Sequence, residues 1–368
     1  SPFAEQGAPA GSVPHPPAVV AALAGLAPAF RPADWPQGFE EYYGDPPDYL
    51  QRARRMKGFY DAEAREPVYV ALLRVALMLT GGREVALGLA SAASWIAFLL
   101  GAALVTQRVA GSRGALLALV LLASDRELIA LSSMGERDQT FAAAFAWSLL
   151  AFLRLLEKPG DRGRAIVFGV AAALSTLTRI SALSYLVPAL AYLFYRGVRR
   201  PEAERRAAFI AFVSLCVLVA PYLISCGIAF GDPLRSINIH TGYYRAHESS
   251  PNLAEGASGG ARPKGEDALT YLLKGRSPAE RLDTAAAGLM EATFGRPFPG
   301  LPICLGERAA LGAAVAAWLG LLVLRGPGLL VLAMTVLAAV PFSLTWNLGG
   351  GGDLRFVLFA LLAPPVGL

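Results

Sequence analysis

Apolar residues in this chain lie in long runs rather than in amphipathic stripes. The runs fall at 85–106, 114–131, 140–153, 165–178, 182–195, 207–230, 309–324, 328–346 and 356–368, with short polar interruptions between most of them. A helix needs roughly 20 apolar residues to cross a hydrocarbon core about 30 Å thick, and several of the nine are shorter. The pattern predicts an all-α polytopic membrane protein with about nine membrane helices. An earlier run, 18–30, would be only about 20 Å long as a helix and reads as a peripheral or interfacial segment. Nothing before Pro17 has the shape of a signal peptide. The chain opens on Ser1 and stops inside an apolar run at Leu368, which leaves room for a further membrane helix ahead of Ser1.

Composition agrees with the pattern. Of 368 residues, 55% are hydrophobic and 17% charged, against roughly 45–50% and about 25% in soluble domains. This excludes an ordinary soluble enzyme, and so much apolar side chain excludes disorder as the dominant state. The net charge of +5 is modest, and the positive residues sit in loops between apolar runs rather than on one soluble face, so nucleic acid is not an expected partner. Cys216 and Cys226 stand ten residues apart on one predicted helix, about 15 Å along its axis, too far for a disulfide.

Loop charges predict the topology. Alternate loops hold Arg108 and Arg113, then Arg154, Lys158, Arg162 and Arg164, then Arg196, Arg199, Arg200, Arg205 and Arg206, and finally Arg325. The intervening short loops hold only Arg126, Arg137, Arg179 and Arg355, among Asp125, Glu127, Glu136, Asp138 and Asp353. With twelve positives against four, the first set is assigned to the cytoplasm. Four parts follow: an extracytoplasmic N-terminal segment with an acidic stretch (1–84), membrane helices (85–230), a long extracytoplasmic loop with short helices (231–308) and C-terminal membrane helices (309–368). Within the long loop, 249–266 is rich in Gly, Ser and Pro and is expected to be mobile. Ser277-Pro278-Ala279-Glu280 has a capping-box pattern and predicts a helix to about Thr293.

Ionisable groups at the edge of membrane spans are costly and therefore informative. Asp125, Arg126, Glu127, Glu136, Arg137 and Asp138 form one cluster, readable either as a local ion-pair network or as the polar lining of a cavity at membrane depth. Arg179 lies at a tight turn between two runs, where it either snorkels to the interface or offers a guanidinium fork to phosphate. Arg355, two residues from Asp353, poses the same choice. In the acidic stretch, Asp45, Pro46 and Asp48 fit the cap and first turn of a helix, and a fixed carboxylate there also suits a general base. His240 and Tyr243 follow Gly231-Asp232-Pro233; further metal ligands at suitable spacing are missing, so they read as site-lining or solvated groups.

Several motifs, taken in order, resemble the lipid-dependent membrane glycosyltransferases of the GT-C fold, in particular the protein O-mannosyltransferase and aminoarabinose-transferase-like group. Asp45-x-x-x-Tyr49-x-x-x-Ala53-Arg54 resembles the first extracytoplasmic loop motif, and Arg65-Glu66-Pro67-Val68-Tyr69 the Pro-x-Tyr segment after it. Leu177-Thr178-Arg179 is similar to the motif placing a cation between two helices. Phe230-Gly231-Asp232-Pro233 resembles the turn into the second long loop, and Gly352-Asp353-Leu354-Arg355-Phe356 the start of a late helix. The chain departs from the pattern in having no adequate span within the residues before Asp45, and in acids separated as Asp45 and Asp48 rather than adjacent.

The resemblance implies a GT-C-like helical bundle in a bacterial plasma (inner) membrane, with its site facing the extracytoplasmic side. It implies inverting transfer of a sugar from a polyprenyl-phosphate donor to a glycan, lipid or protein acceptor. Asp45, with Asp48 as deputy, would be the base; Arg179, Arg355 and Arg137 would hold the donor phosphate; Tyr49, Tyr69, Glu136, Asp138, His240 and Tyr243 would line the site. A lipid-linked donor needs no nucleotide-sugar motif and no cofactor, and the question of a divalent cation stays open. Two alternatives remain: a non-catalytic GT-C-like subunit of a larger membrane complex, and a transporter.

Overall fold

The computed structural model describes residues 45–61, 65–124, 128–129, 132–199, 202–239, 277–290, 307–343, 360 and 366, and these are helical or connecting. The helices are α1 (Asp45–Arg55), α2 (Pro67–Leu79), α3 (Ala86–Ser124), α4 (Asp138–Glu157), α5 (Arg162–Thr178), α6 (Leu183–Arg199), α7 (Glu202–Phe230), α8 (Pro278–Met290), α9 (Glu307–Val323) and α10 (Arg325–Ser343), with a 3₁₀ turn at Ile180–Ala182. The expected mobile segment 249–266 and the last expected span, apart from residues 360 and 366, lie outside the described residues.

Of the nine expected spans, three helices among the described residues are both long and apolar enough to cross a membrane: α3, α4 and α7. The first of them is two in one. The sequence suggests a loop between 106 and 114, but helix runs on both sides of a single break at Gly111, with φ +81° and ψ −176°. A Cβ on Gly114 would lie 3.3 Å from Cγ2 of Thr106, whereas eight residues of unbroken helix would separate them by about 12 Å. The chain therefore doubles back at Gly111, a left-handed conformation that favours glycine.

Contacts give the direction of each helix. The first half of α3 runs parallel to α4: Ser94 bonds Thr140, the Trp147 indole donates to the Ala97 carbonyl, and Arg108 pairs with Glu157. α5 returns antiparallel, so that Ser148 donates to the Ala171 carbonyl and Phe152 stacks on Phe168. α5 and α7 then run parallel and very close. A Cβ on Gly169 would sit 2.5 Å from the carbonyl oxygen of Ala211; small residues allow such approach where lipid supplies no hydrophobic drive between helices. The outer face of α7, with Phe209, Val217 and Ile228 exposed, is apolar, as lipid contact requires.

α4 has 20 residues and is therefore about 30 Å long, so the bundle has two well-separated ends. At one end Glu157 pairs with Arg108 and Arg164, the Arg154 carbonyl accepts from Arg164, and Arg196 pairs with Glu204. All four arginines come from the arginine-rich loops. At the other end α1 and α2 form a small core of their own with the start of α3, built on Tyr49, Leu50, Tyr69, Leu73 and Leu87. The Tyr69 hydroxyl ties this unit to the bundle by donating to the Gly135 carbonyl at 2.6 Å. The capping box is observed at α8: Ser277 Oγ accepts from the Glu280 amide at 3.2 Å, and the Glu280 carboxylate accepts from the Ser277 amide at 2.8 Å.

Candidate functional site

The polar end gathers charges from five separate elements. Asp45 and Asp48 sit in the first turn of α1, and both carboxylates turn toward Arg65, which follows in the α1–α2 connection. Arg65 pairs with Asp45 and reaches Asp48 at 3.4 Å, while Asp48 also accepts from Arg52 at 2.9 Å. The two acids are about one-third exposed (34% and 33%), so this is an open rim. The guanidinium of Arg65 lies 5.4 Å from the ring centroid of Tyr49, which meets Tyr69 edge-on at 5.0 Å. Burial raises the Tyr49 phenol above its ordinary value, so it stays protonated and cannot serve as a base.

The next residue, Glu66, points the other way. It precedes Pro67 at the start of α2 with extended backbone (φ −64°, ψ 147°), and its side chain does not cap its own helix. Instead one carboxylate oxygen accepts from Arg137 and the other from the backbone N–H of Ile180 at 2.9 Å. Arg137 immediately precedes α4, and Asp138 opens it. Asp138 pairs with Arg179, which terminates α5 in extended conformation before the 3₁₀ turn. The Arg179 guanidinium lies over the ring of Phe342 from α10 at 4.7 Å and near Phe141 at 6.0 Å. Glu66, Arg137, Asp138 and Arg179 are all buried, as is Glu136. The site thus has two tiers, an open rim and a buried floor, joined by the Arg65–Glu66 peptide.

An apolar cavity of about 280 Å³ opens beside the floor. Val68, Leu72, Ala144, Trp147 and Leu174 line it, and Ser94, Thr140 and Thr178 bring hydroxyls. Thr140 is two residues from Asp138 and Thr178 is next to Arg179, so the cavity comes within one helical turn of the buried ion pairs along both helices.

The structure brings together Asp45, Asp48, Tyr49, Tyr69, Glu136, Arg137, Asp138 and Arg179. Arg355, His240 and Tyr243 lie outside the described residues. Two alternatives left open by the sequence are narrowed. Arg137 and Asp138 pair over long range, with partners 71 and 41 residues away, while Asp125, Arg126 and Glu127 of the same cluster lie outside the described residues. Arg179 does not snorkel outward but is buried against Asp138 and Phe342. In the sequence Arg65 and Glu66 stand out only as part of the Pro-x-Tyr motif, yet they link the two tiers. An acid directly before a proline that opens an apolar helix was the available signal, because such a side chain is carried inward with the helix start.

Residues 64–224 match a family described as dolichyl-phosphate-mannose-protein mannosyltransferase. No curated protein matches the sequence significantly. Among solved structures, ArnT from Cupriavidus metallidurans in the apo state superposes with a TM-score of 0.57 at 15% identity, over 95% of this chain and 58% of that one. The fold is GT-C. The chain therefore spans a little over half the length of that ArnT chain. A second ArnT structure from the same organism, bound to undecaprenyl phosphate, has a TM-score of 0.47 at 16% identity, over 96% of this chain and 78% of that one. The GT-C fold places the family match across α2 to α7, the elements that build the floor and the apolar cavity.

Proposed function

We propose that the protein transfers a sugar from a polyprenyl-phosphate donor to an acceptor hydroxyl on the extracytoplasmic face of a bacterial inner membrane, with inversion at the anomeric carbon. The observation that carries this reading is the two-tier site: accessible acids at the rim, guanidinium groups on the floor beneath them, and an apolar cavity leading off the floor. The family matched by α2 to α7 is named for a prenyl-phosphate sugar, and the arginine-rich far end suits the cytoplasmic side.

The chemistry follows from the arrangement. The acceptor oxygen attacks the anomeric carbon while the bond from that carbon to the phosphate oxygen breaks. The acceptor proton passes to the Asp45 carboxylate, and the bonding electrons leave with the phosphate as polyprenyl phosphate. Arg137 and Arg179 stabilise the charge that develops there, since fixed donors in a water-poor site need no reorganisation. Asp45, the first residue of α1 and one-third exposed at the rim, is the proposed base, with Asp48 as its deputy. Tyr49 and Tyr69 fix the rim above the floor, and the cavity beside Thr140 and Thr178 takes the first isoprene units.

The test is turnover of a panel of polyprenyl-phosphate sugars by the purified protein in lipid. Asp45→Asn is expected to abolish transfer while the melting temperature stays within a few degrees of the parent. Undiminished turnover in that variant overturns the assignment of the base, and no turnover by the parent with any polyprenyl donor overturns the reaction. The exposed, ion-paired rim supports an active site over a non-catalytic subunit, in which Asp45 would be sealed inside a cap.

A further inference from the structure

Both floor arginines are already neutralised by carboxylates, Arg137 by Glu66 and Arg179 by Asp138, with side-chain exposures of 10% or less. A phosphate added to these four charges would bring an anion beside two carboxylates in a poorly solvated place, where like charges strongly disfavour each other. One carboxylate therefore has to give way.

The two are not equivalent. Asp138 lies in the first turn of α4, where the helix dipole favours negative charge, and leaving would cost that interaction. Glu66 forms no cap bond with its own helix, so its side chain can rotate away without uncapping α2. Its two oxygens also occupy a distinctive position, one on a guanidinium and one on a backbone N–H at the start of a 3₁₀ turn. A guanidinium and a backbone N–H that hold the two oxygens of one carboxylate present donors that a phosphate can also use.

We infer that Glu66 is a positioning residue whose carboxylate stands in for the donor phosphate in the empty site, holding Arg137 and the Ile180 N–H in place until the phosphate displaces it. This rests on the reading above that the floor takes a lipid phosphate. Exchange of one anion for another keeps both donors paired throughout. When the product leaves, the return of Glu66 helps to expel it, so the residue trades donor affinity for release.

The test is binding of undecaprenyl phosphate to the full chain in lipid nanodiscs, read by native mass spectrometry, for the parent, Glu66→Gln and Glu66→Asp. Glutamine keeps an acceptor for the Ile180 N–H but loses the charge. It is expected to tighten binding about tenfold or more, the size of effect one unit charge exerts on another within about 4–6 Å, and to lower KM and kcat together. Glu66→Asp keeps the charge and is expected not to tighten binding. Parent binding that Glu66→Gln leaves unchanged or weakens overturns this inference and leaves the donor assignment standing, as does equal tightening by Glu66→Asp. Absence of binding in all three overturns the donor assignment, and the inference with it. A structure of the parent with undecaprenyl phosphate decides the matter without a variant: a phosphate oxygen on the Ile180 N–H with Glu66 withdrawn from Arg137 supports the exchange, and Glu66 still on both donors overturns it.

Discussion

The two ends of the helical bundle are made of the same chemistry and differ in its setting. At the far end Arg108, Glu157 and Arg164 pair with side chains about one-third exposed. At the site end Glu66, Arg137, Asp138 and Arg179 pair with side chains almost wholly buried. An exposed arginine–carboxylate pair contributes about 0–1 kcal/mol. A buried one carries a desolvation penalty large enough that apolar residues in its place are often neutral or better for stability. The exposed Glu157 pairs of the far end therefore suit solubility and orientation, whereas the buried floor pairs are costly and point to chemistry; the far end's Arg196–Glu204 pair, 11% and 12% exposed, is intermediate.

That contrast can be broken experimentally, beginning at the floor. Arg137→Met leaves the Glu66 carboxylate buried without its guanidinium and is expected to cost about 3–5 kcal/mol, read as a large fall in the melting temperature in detergent. The double variant Arg137→Met with Glu66→Gln removes both charges and is expected to recover most of that loss while remaining inactive. If the double variant is as unstable as the single one, the pair is structural and the contrast fails. Gly169→Leu, midway between the ends, is expected to cost about 1–3 kcal/mol by overpacking, since even a Cβ meets the Ala211 carbonyl. It calibrates a plain packing defect against the charge effects. Phe342→Ala removes a ring beneath Arg179 and is expected to raise the donor KM severalfold; the cation–π contribution itself is about 0.5–2 kcal/mol. Arg108→Gln at the far end is expected to shift stability by less than about 1 kcal/mol, and by less still at high salt.

Much of the fold was legible because membrane helices are written as apolar runs. The runs at 140–153, 165–178, 182–195 and 207–230 reappear as α4 to α7, each helix longer overall than its run. The Ser277–Glu280 box was readable because its bonds join residues three apart. The reversal at Gly111 was legible as a loop between two runs, but its tightness was not, because Arg108 and Arg113 interrupt the run over several residues while the helix itself continues on both sides of one glycine. At the site, residue types were visible but partners were not. Asp138 looks ready to pair with its neighbour Arg137, yet each reaches to another element, and only the packing of α2 against α5 shows that Glu66 is brought there. Arg179 stood out because a lone cation between two apolar runs has few roles.

The Arg65–Glu66 peptide ties the two tiers of the site together. Neighbouring Cα atoms stand about 3.8 Å apart, and these two residues grip opposite tiers, Arg65 through the rim acids and Glu66 through Arg137 and Ile180. While Glu66 holds Arg137, the rim acids and the floor are therefore tied to adjacent backbone positions. A shift of the start of α2 then pulls on both tiers at once. On the proposal that a donor phosphate displaces Glu66, that tie is released when the donor binds, so rim and floor are coupled most firmly before the substrate arrives.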